Sequence, residues 1–394
     1  MKIATVFYFF VIIAILTGCS PEKQAKDKLA CIDVTRNYPE KKIFLTDIAE
    51  IEYLYLNSDD DDYLYSGSIS KLTKNTVVVY SHVSGDILFF TRDGMPKSRF
   101  NRKGYGPEEY TGGAFGFVYD EDTDDLFVSR MNDIIVYSST GKFKRKFVLP
   151  QGVRVDGRMV SFDEHSLFLY NINIDAQRAR SMSDEAGLPE KHYPFYHISK
   201  TNGEVLNAIE IPYVPLFLGI YVDGQRIPGI VNRLVKCPEG VLLCSAETDT
   251  IFLYSHDKSL TPILYKTPSV SALDPMVYLN HYIDGGQYQF IEVCTARKGD
   301  EYIGIFPVTH YTRNKRTGEI FRPKFLLPDY KDKEFIITPR GLGYMCEDGY
   351  YFELDLIELK QAYRENKLSG KLKELVATLN EDEDNNVFML LHFK

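Results

Sequence analysis

An all-β chain folded as a six-bladed β-propeller is what this sequence predicts, on three observations. Short runs rich in Tyr, Phe, Val and Ile alternate with turn residues, there being 28 Tyr and 25 Phe in 394 residues but no Trp. Two stretches, "NTVVVYSHVSGDILFFTRDGMPKSRF" (75–100) and "DDLFVSRMNDIIVYSSTGKFKRKF" (124–147), share one pattern of strand, polar turn, strand, glycine turn, strand. Ile87 and Gly94 of the first fall 47 positions before Ile134 and Gly141 of the second, so the match is a repeat with a register. Units of roughly 45 to 60 residues with three or four strands each are propeller blades.

The chain opens on an address. Lys2 precedes an apolar run over 3–16, and "LTGCS" closes it. Fourteen residues are too few to cross a bilayer as a helix, which takes about 20. A positive residue, a short apolar core and small residues before Cys19 form a secretory signal, and the ending resembles the bacterial lipobox, in which the cysteine carries lipid. Acyl chains on Cys19 would anchor the mature protein stably, and Ser20 after it, by resemblance to known sorting rules, favours the outer membrane. The expected organisation is a signal peptide over 1–18, a lipidated cysteine and flexible tether over 19–40, polar and without apolar periodicity, and one propeller domain over 41–394.

Within that domain, 41–56 ("KKIFLTDIAEIEYLYL") reads as one N-terminal strand that completes the last blade, since a closed ring leaves no exposed edge there. The repeats at 75–100 and 124–147 are followed by a third, "SLFLYNINI" and "PFYHISKTNGEVLNAIEI", split by a polar insertion over 176–191. A fourth covers 240–265, a fifth 289–327, and a sixth opens at 341. One helix is expected, over 354–370, where Leu356, Leu359, Ala362 and Tyr363 recur at helical spacing and Lys367 and Gly370 form a stop. It interrupts the last blade.

Composition narrows function. The net charge of −9, or −10 once Lys2 is removed, gives no footprint for nucleic acid. With Cys19 assigned to lipid, Cys31, Cys237, Cys244, Cys294 and Cys346 read as buried free thiols, with a hairpin bridge between Cys237 and Cys244 as the alternative. The acidic run at 120–125 starts like a calcium loop but has Asp125 where glycine is required and Met131 where a bidentate glutamate is required. Asp59 to Asp62 form a solvated charge run. No metal motif, nucleophile elbow or phosphate loop is present, so no catalytic residue, metal ligand or cofactor is assigned.

The stretches "FLTDIAEIEYLYLNSDDDDYLYSGSISKLTKNTVVVY", "ILFFTRDGMPKSRFNRKGYGPEEY" and "LNEDEDNNVFMLLHFK" resemble a large family of exported bacterial lipoproteins with six-bladed, NHL-like propellers and unassigned activity. The most specific piece is "GYGPEEY" (104–110), similar to a Gly-x-Gly-Pro-Gly-Glu-Tyr loop, with Glu108 in place of the third glycine; likewise Asn386 stands where the family has proline. The resemblance implies fold and export, not a reaction. The candidate binding residues are Arg102, Lys103, Tyr105, Glu109 and Tyr110, grouped on backbone freed by Gly104 and Gly106; the competing reading is a crossover in which Glu109 and Tyr110 brace the next sheet. The expected function is a lipid-anchored, monomeric binding module for an envelope protein or glycan, with a metal-dependent hydrolase or lyase in the central channel as the alternative.

The anchor gives the first test. Cys19→Ala should block signal processing or release the protein from the membrane fraction, read by fractionation and intact mass. A normally processed Cys19→Ala protein that stays with membranes would refute the assignment.

Overall fold

The computed structural model describes residues 29–58, 61–81, 83–110, 116–155, 157–174, 193–212, 219–222, 225–228, 234–245, 248–296, 307–338, 345–346 and 349–394. The segment 1–18 expected as a signal, the expected lipid site Cys19, and the insertion at 176–191 lie outside these residues.

The core dictates the architecture. In the strand Thr76–Ser81 every residue is buried, and its alternate side chains serve two different cores. Val77 and Val79 pack with Leu54, Phe388 and Leu390, whereas Val78 and Tyr80 pack with Phe117, Val128 and Ile135. A strand whose two faces both meet apolar sheets reads as a continuous hydrophobic run and belongs to the middle of a stack. Repeating this around the molecule gives six apolar clusters, each between two successive sheets. Six interfaces joining six sheets close a ring, and the chain is a six-bladed β-propeller.

Blade 1 runs from Gly67–Leu72 to Pro96–Phe100, blade 2 from Phe117–Asp120 to Phe143–Val148, and blade 3 from Met159–Ser161 to Val205–Ile209. Blade 4 runs from Leu234–Cys237 to Leu260–Thr267 and blade 5 from Met276–Gly285 to Ile320–Leu327. Blade 6 has Met345–Cys346, Gly349–Leu354 and Val387–Phe393, and its fourth strand is Ala49–Tyr55, paired antiparallel with Val387–Phe393 from Tyr55 opposite Val387 to Ala49 opposite Phe393. The expected N-terminal closure is therefore present. An unforeseen two-stranded hairpin, Gly219–Val222 with Gln225–Pro228, lies between blades 3 and 4 in the chain.

Three expectations need correction. The stretch over 41–56 is not one strand: Glu40–Phe44 pairs in parallel with the last strand of blade 5, a one-turn helix Leu45–Ile48 intervenes, and only Ala49–Tyr55 joins blade 6. Leu45 and Ile48 are buried while Phe44 and Thr46 are exposed, so the helical turn exists to sink two apolar side chains at the corner between blades. The stretch 19–40, expected to be flexible tether, includes ordered structure, because Ala30–Asp33 forms a parallel strand on the outer edge of blade 4 with Ala30 and Ile32 in its core. Helix Leu356–Arg364, capped by the Asp355 carboxylate on the Glu358 N–H, is followed by a second helix, Gly370–Thr378, that lacks a side-chain cap. Leu372 and Val376 of the second helix join Leu356 and Leu359 of the first in the core of blades 5 and 6. Packing rather than local signal stabilises it. Asn386, in the family's proline position, accepts from the Leu356 N–H at 2.9 Å and donates to Glu353 at 2.8 Å, so it fastens the helical insertion to its sheet. Cys237 and Cys244 are unbridged; Cys237 faces Gly240 across the hairpin, and burial pushes its thiol up to about 12.

The repeated turn glycine has a physical reason. Gly94, Gly141 and Gly203 each adopt positive φ in the turn before a blade's last strand. A Cβ there would lie 2.0 Å from Tyr55 O, 2.5 Å from Phe100 and 2.3 Å from Phe147, respectively, each on the outer strand of the preceding blade. Gly152, also at positive φ, has nothing within 4 Å. Gly152→Ala should thus cost only backbone strain, about 1–2 kcal/mol, whereas Gly94→Ala should cost more because it also pries blade 1 from blade 6. Equal shifts in denaturation midpoint would refute the contact.

Candidate functional site

Alternation of antiparallel strands sorts the connections onto two faces. Links between first and second, and between third and fourth, strands fall on one face, and none exceeds five residues. Links between second and third strands, and the crossovers between blades, begin and end on the other face; they include 101–116, 149–158, 171–194, 210–233, 328–344 and the helical insertion 355–386. The long connections between described strands therefore all begin and end on one side.

The five candidate residues lie in the first of these crossovers, and the structure divides them. Tyr110 is fully buried: its hydroxyl donates to Gly85 O at 2.7 Å and accepts from the Arg102 N–H at 3.0 Å, and burial pushes its phenol well above the usual range. Its ring stands edge-on to Tyr137, whose hydroxyl donates to Glu108 O at 2.6 Å. Glu109 turns back to accept from the Gly106 N–H at 2.8 Å, so close over Gly104 that a Cβ there would sit 2.0 Å from its carboxylate. Arg102 donates from Nε to Gly141 O at 3.2 Å, reaching blade 2. Lys103 lays its stem over Gly85 and extends Nζ to Val83 O at 3.4 Å. Arg130, which sequence reading missed, anchors the loop from below: it forms a two-pronged pair with Asp133 at 2.7 Å and donates to Glu109 O at 2.7 Å.

Four of the five residues thus make contacts that hold the crossover. Tyr105 alone projects, 97% exposed, on the same face as the exposed Val83 and Met131. Glycines and arginines around a turn signal such a loop in sequence, but nothing local tells which side chain folds inward.

A second polar group was illegible in sequence. Glu292, buried in blade 5, accepts from Asn280 at 2.6 Å, His310 Nε2 at 2.7 Å and Thr338 Oγ1 at 2.7 Å. Tyr350 of blade 6 donates to Thr338 O at 2.6 Å, so the group ties the two blades together. His281 and His310 stand opposite Glu292 on its two neighbouring strands, and the pairing shifts register at Asn280. Such a bulge re-aims a side chain, here the amide onto the carboxylate. These residues lie 12 to 46 positions from Glu292, and only strand register brings them together.

A third cluster gathers a serine, a histidine and an aspartate in blade 3. Ser166 donates to Asp163 at 2.5 Å and is met by His197 Nε2 at 2.7 Å. The serine proton already belongs to a carboxylate, so the imidazole donates to the hydroxyl instead of receiving its proton. Burial among Phe162, Phe168 and Tyr254 holds the His197 pKa below its usual value. Nor do the acidic turns gather a cation: Asp120 pairs with Lys200 of blade 3 at 2.6 Å, and Asp125 pairs with Lys144 and Arg145. Among the described residues no three His, Cys, Asp or Glu side chains converge as a metal-binding set.

Residues 20–207 match the family model DUF5128, described as a 6-bladed beta-propeller. None of the curated proteins matches the sequence. Among solved structures, a Bacteroides fragilis protein described as exported superposes with a TM-score of 0.59 at 15% identity, over 92% of this chain and 99% of that one. A member of the DUF4221 family from Bacteroides vulgatus gives 0.46 at 12% identity, over 88% and 97%. The extracellular domain of a hybrid two-component system from B. thetaiotaomicron gives 0.36 at 13% identity, over 70% and 29%. The first likeness supports the propeller fold.

The loop generates a stability test. Tyr110→Phe leaves Gly85 O and the Arg102 N–H without their buried partner and should cost about 1–3 kcal/mol, while Tyr105→Ala should stay within about 0.5 kcal/mol. Chemical denaturation of both variants checks this, and an unchanged midpoint for Tyr110→Phe would remove its bracing role.

Proposed function

We propose that this chain is an exported, lipid-anchored binding module that meets a protein or glycan of the cell envelope with the loop-bearing face of its propeller. The single observation that carries this reading is the partition of connections: among the described residues, the strand-to-strand links within blades on one face are all tight turns, whereas the long connections begin and end on the other, which also bears the almost fully exposed Tyr105. Loops on a rigid scaffold can vary without disturbing the core, which is why recognition concentrates there. Tyrosine supplies contact area at low entropic cost and is enriched where interfaces draw their energy. Export is supported by the signal-like 1–18 segment with Cys19 and by the description of the B. fragilis protein. Tyr110 and Glu292 spend their polar atoms on bracing contacts between loops and blades, which supports binding over catalysis.

The test compares capture of envelope components from detergent extracts by immobilised wild-type protein, a Tyr105→Ala/Val83→Ser variant, and a turn-face variant, Lys74→Ala/Thr201→Ala. Loss of a central aromatic anchor costs about 2 kcal/mol, so the loop-face variant should retain its partner roughly 30-fold more weakly. The turn-face variant should bind like wild type. Loss of capture only in the turn-face variant would overturn the assignment of the binding face.

A further inference from the structure

The path of the N-terminal segment fixes how the propeller sits on its membrane. We infer that the tight-turn side of blade 4 is the membrane-proximal surface, and that the crossover carrying Tyr105 points away from the bilayer. This rests on the reading of Cys19 as the lipid site.

The exit point is clamped at two places. Ala30–Asp33 pairs in parallel with the outer strand of blade 4, Ala30 opposite Leu264 and Asp33 opposite Thr267, and Ile32 is fully buried beneath it. Further on, Glu40–Phe44 pairs in parallel with the outer strand of blade 5, reinforced by the Lys41–Glu319 ion pair at 2.9 Å and by Arg322 donating to Tyr38 O at 3.1 Å. Because the pairing is parallel, direction follows from topology. Leu260–Thr267 leaves the tight turn at 256–259 and runs toward the crossover on the loop face. The chain therefore reaches blade 4 from the tight-turn side.

Length then decides between hanging free and being held close. Ten residues separate Cys19 from Ala30. A flexible chain of that length spans about 17 Å on average and at most about 35 Å when extended. A folded body of this size has a radius of gyration of about 21 Å, so it is wider than its tether is long. The tethered side must face the lipid. Position in the ring gives a second, independent reason: the 101–116 crossover joins blades 1 and 2, across the six-bladed ring from the clamped blades 4 and 5. Whether the propeller leans on its edge or lies on its face, Tyr105 is on the far side.

The absence of tryptophan from the sequence makes the inference measurable. Three single-tryptophan proteins are prepared full length and lipidated: His256→Trp in the tight turn of blade 4, Ser271→Trp on the loop face beside the same blade, and Tyr105→Trp, all exposed positions. Each is placed in phosphatidylethanolamine and phosphatidylglycerol vesicles containing a dansyl headgroup acceptor, and energy transfer from tryptophan is recorded. Transfer should be greatest from position 256, intermediate from 271 and least from 105, with the extremes differing severalfold. Equal transfer from 256 and 105, or more from 271 than from 256, in protein that floats with vesicles and carries acyl chains on Cys19 by mass spectrometry, would overturn the orientation while leaving the anchor intact. Protein without acyl chains that fails to float would remove the anchor itself, and the orientation with it.

Discussion

Everything in this molecule depends on the antiparallel pairing of Ala49–Tyr55 with Val387–Phe393. A propeller sheet is buried on both faces, so an incomplete blade would expose apolar side chains toward both neighbours and an unpaired row of backbone groups at its edge. Supplying the fourth strand of blade 6 from the other end of the chain makes that seam long-range. Polar contacts lock it. Arg92, in the last turn of blade 1, grips Glu52 with two bonds of 2.7 and 2.8 Å, and His392 meets the same carboxylate at 2.8 Å. Burial alone would raise the Glu52 pKa; the hydrogen bonds from Arg92 and His392 outweigh it and hold the carboxyl below its usual range. Asn385 adds a buried tie by donating to Leu56 O and Tyr63 O.

The same economy of edges explains the belt formed by the first residues of the body. The outer edges of blades 4 and 5 are covered by Ala30–Asp33 and Glu40–Phe44. Those of blades 1 and 2 instead carry Lys97 and Arg99, and Lys144, Arg145 and Lys146, charges that oppose pairing with a foreign strand. Closure and belt thus use one continuous segment, 30–55, which covers two blade edges before it completes the ring.

Polar side chains inside the ring serve mainly as inter-blade mortar. Lys200 to Asp120 joins blades 3 and 2, Thr338 and Tyr350 join blade 6 to Glu292 of blade 5, and Tyr110 joins the first crossover to the turn at Gly85. Buried polar groups satisfied in this way specify one arrangement of sheets that slippery apolar faces alone would not. What remains for recognition is the surface that these braces hold rigid.

The repeat and its glycine turns were legible in the sequence because each is local: a period-two apolar pattern and a turn glycine, at positive φ in Gly94 and Gly141. N-terminal closure was legible too, since a ring must end on itself. The rest needed the tertiary structure. Division of 41–56 into two strands and a helical turn follows from which blade edge each piece reaches, and the helix Gly370–Thr378 exists because Leu372 and Val376 find a core. Within "NRKGYGPEEY", composition marked a loop, but burial of Tyr110 and exposure of Tyr105 depend on where Gly85 and blade 2 lie. The partners of Glu292 come from Asn280, His310 and Thr338, whose spacing carries no periodicity; strand register, a property of the sheet and not of any segment, is what assembles them.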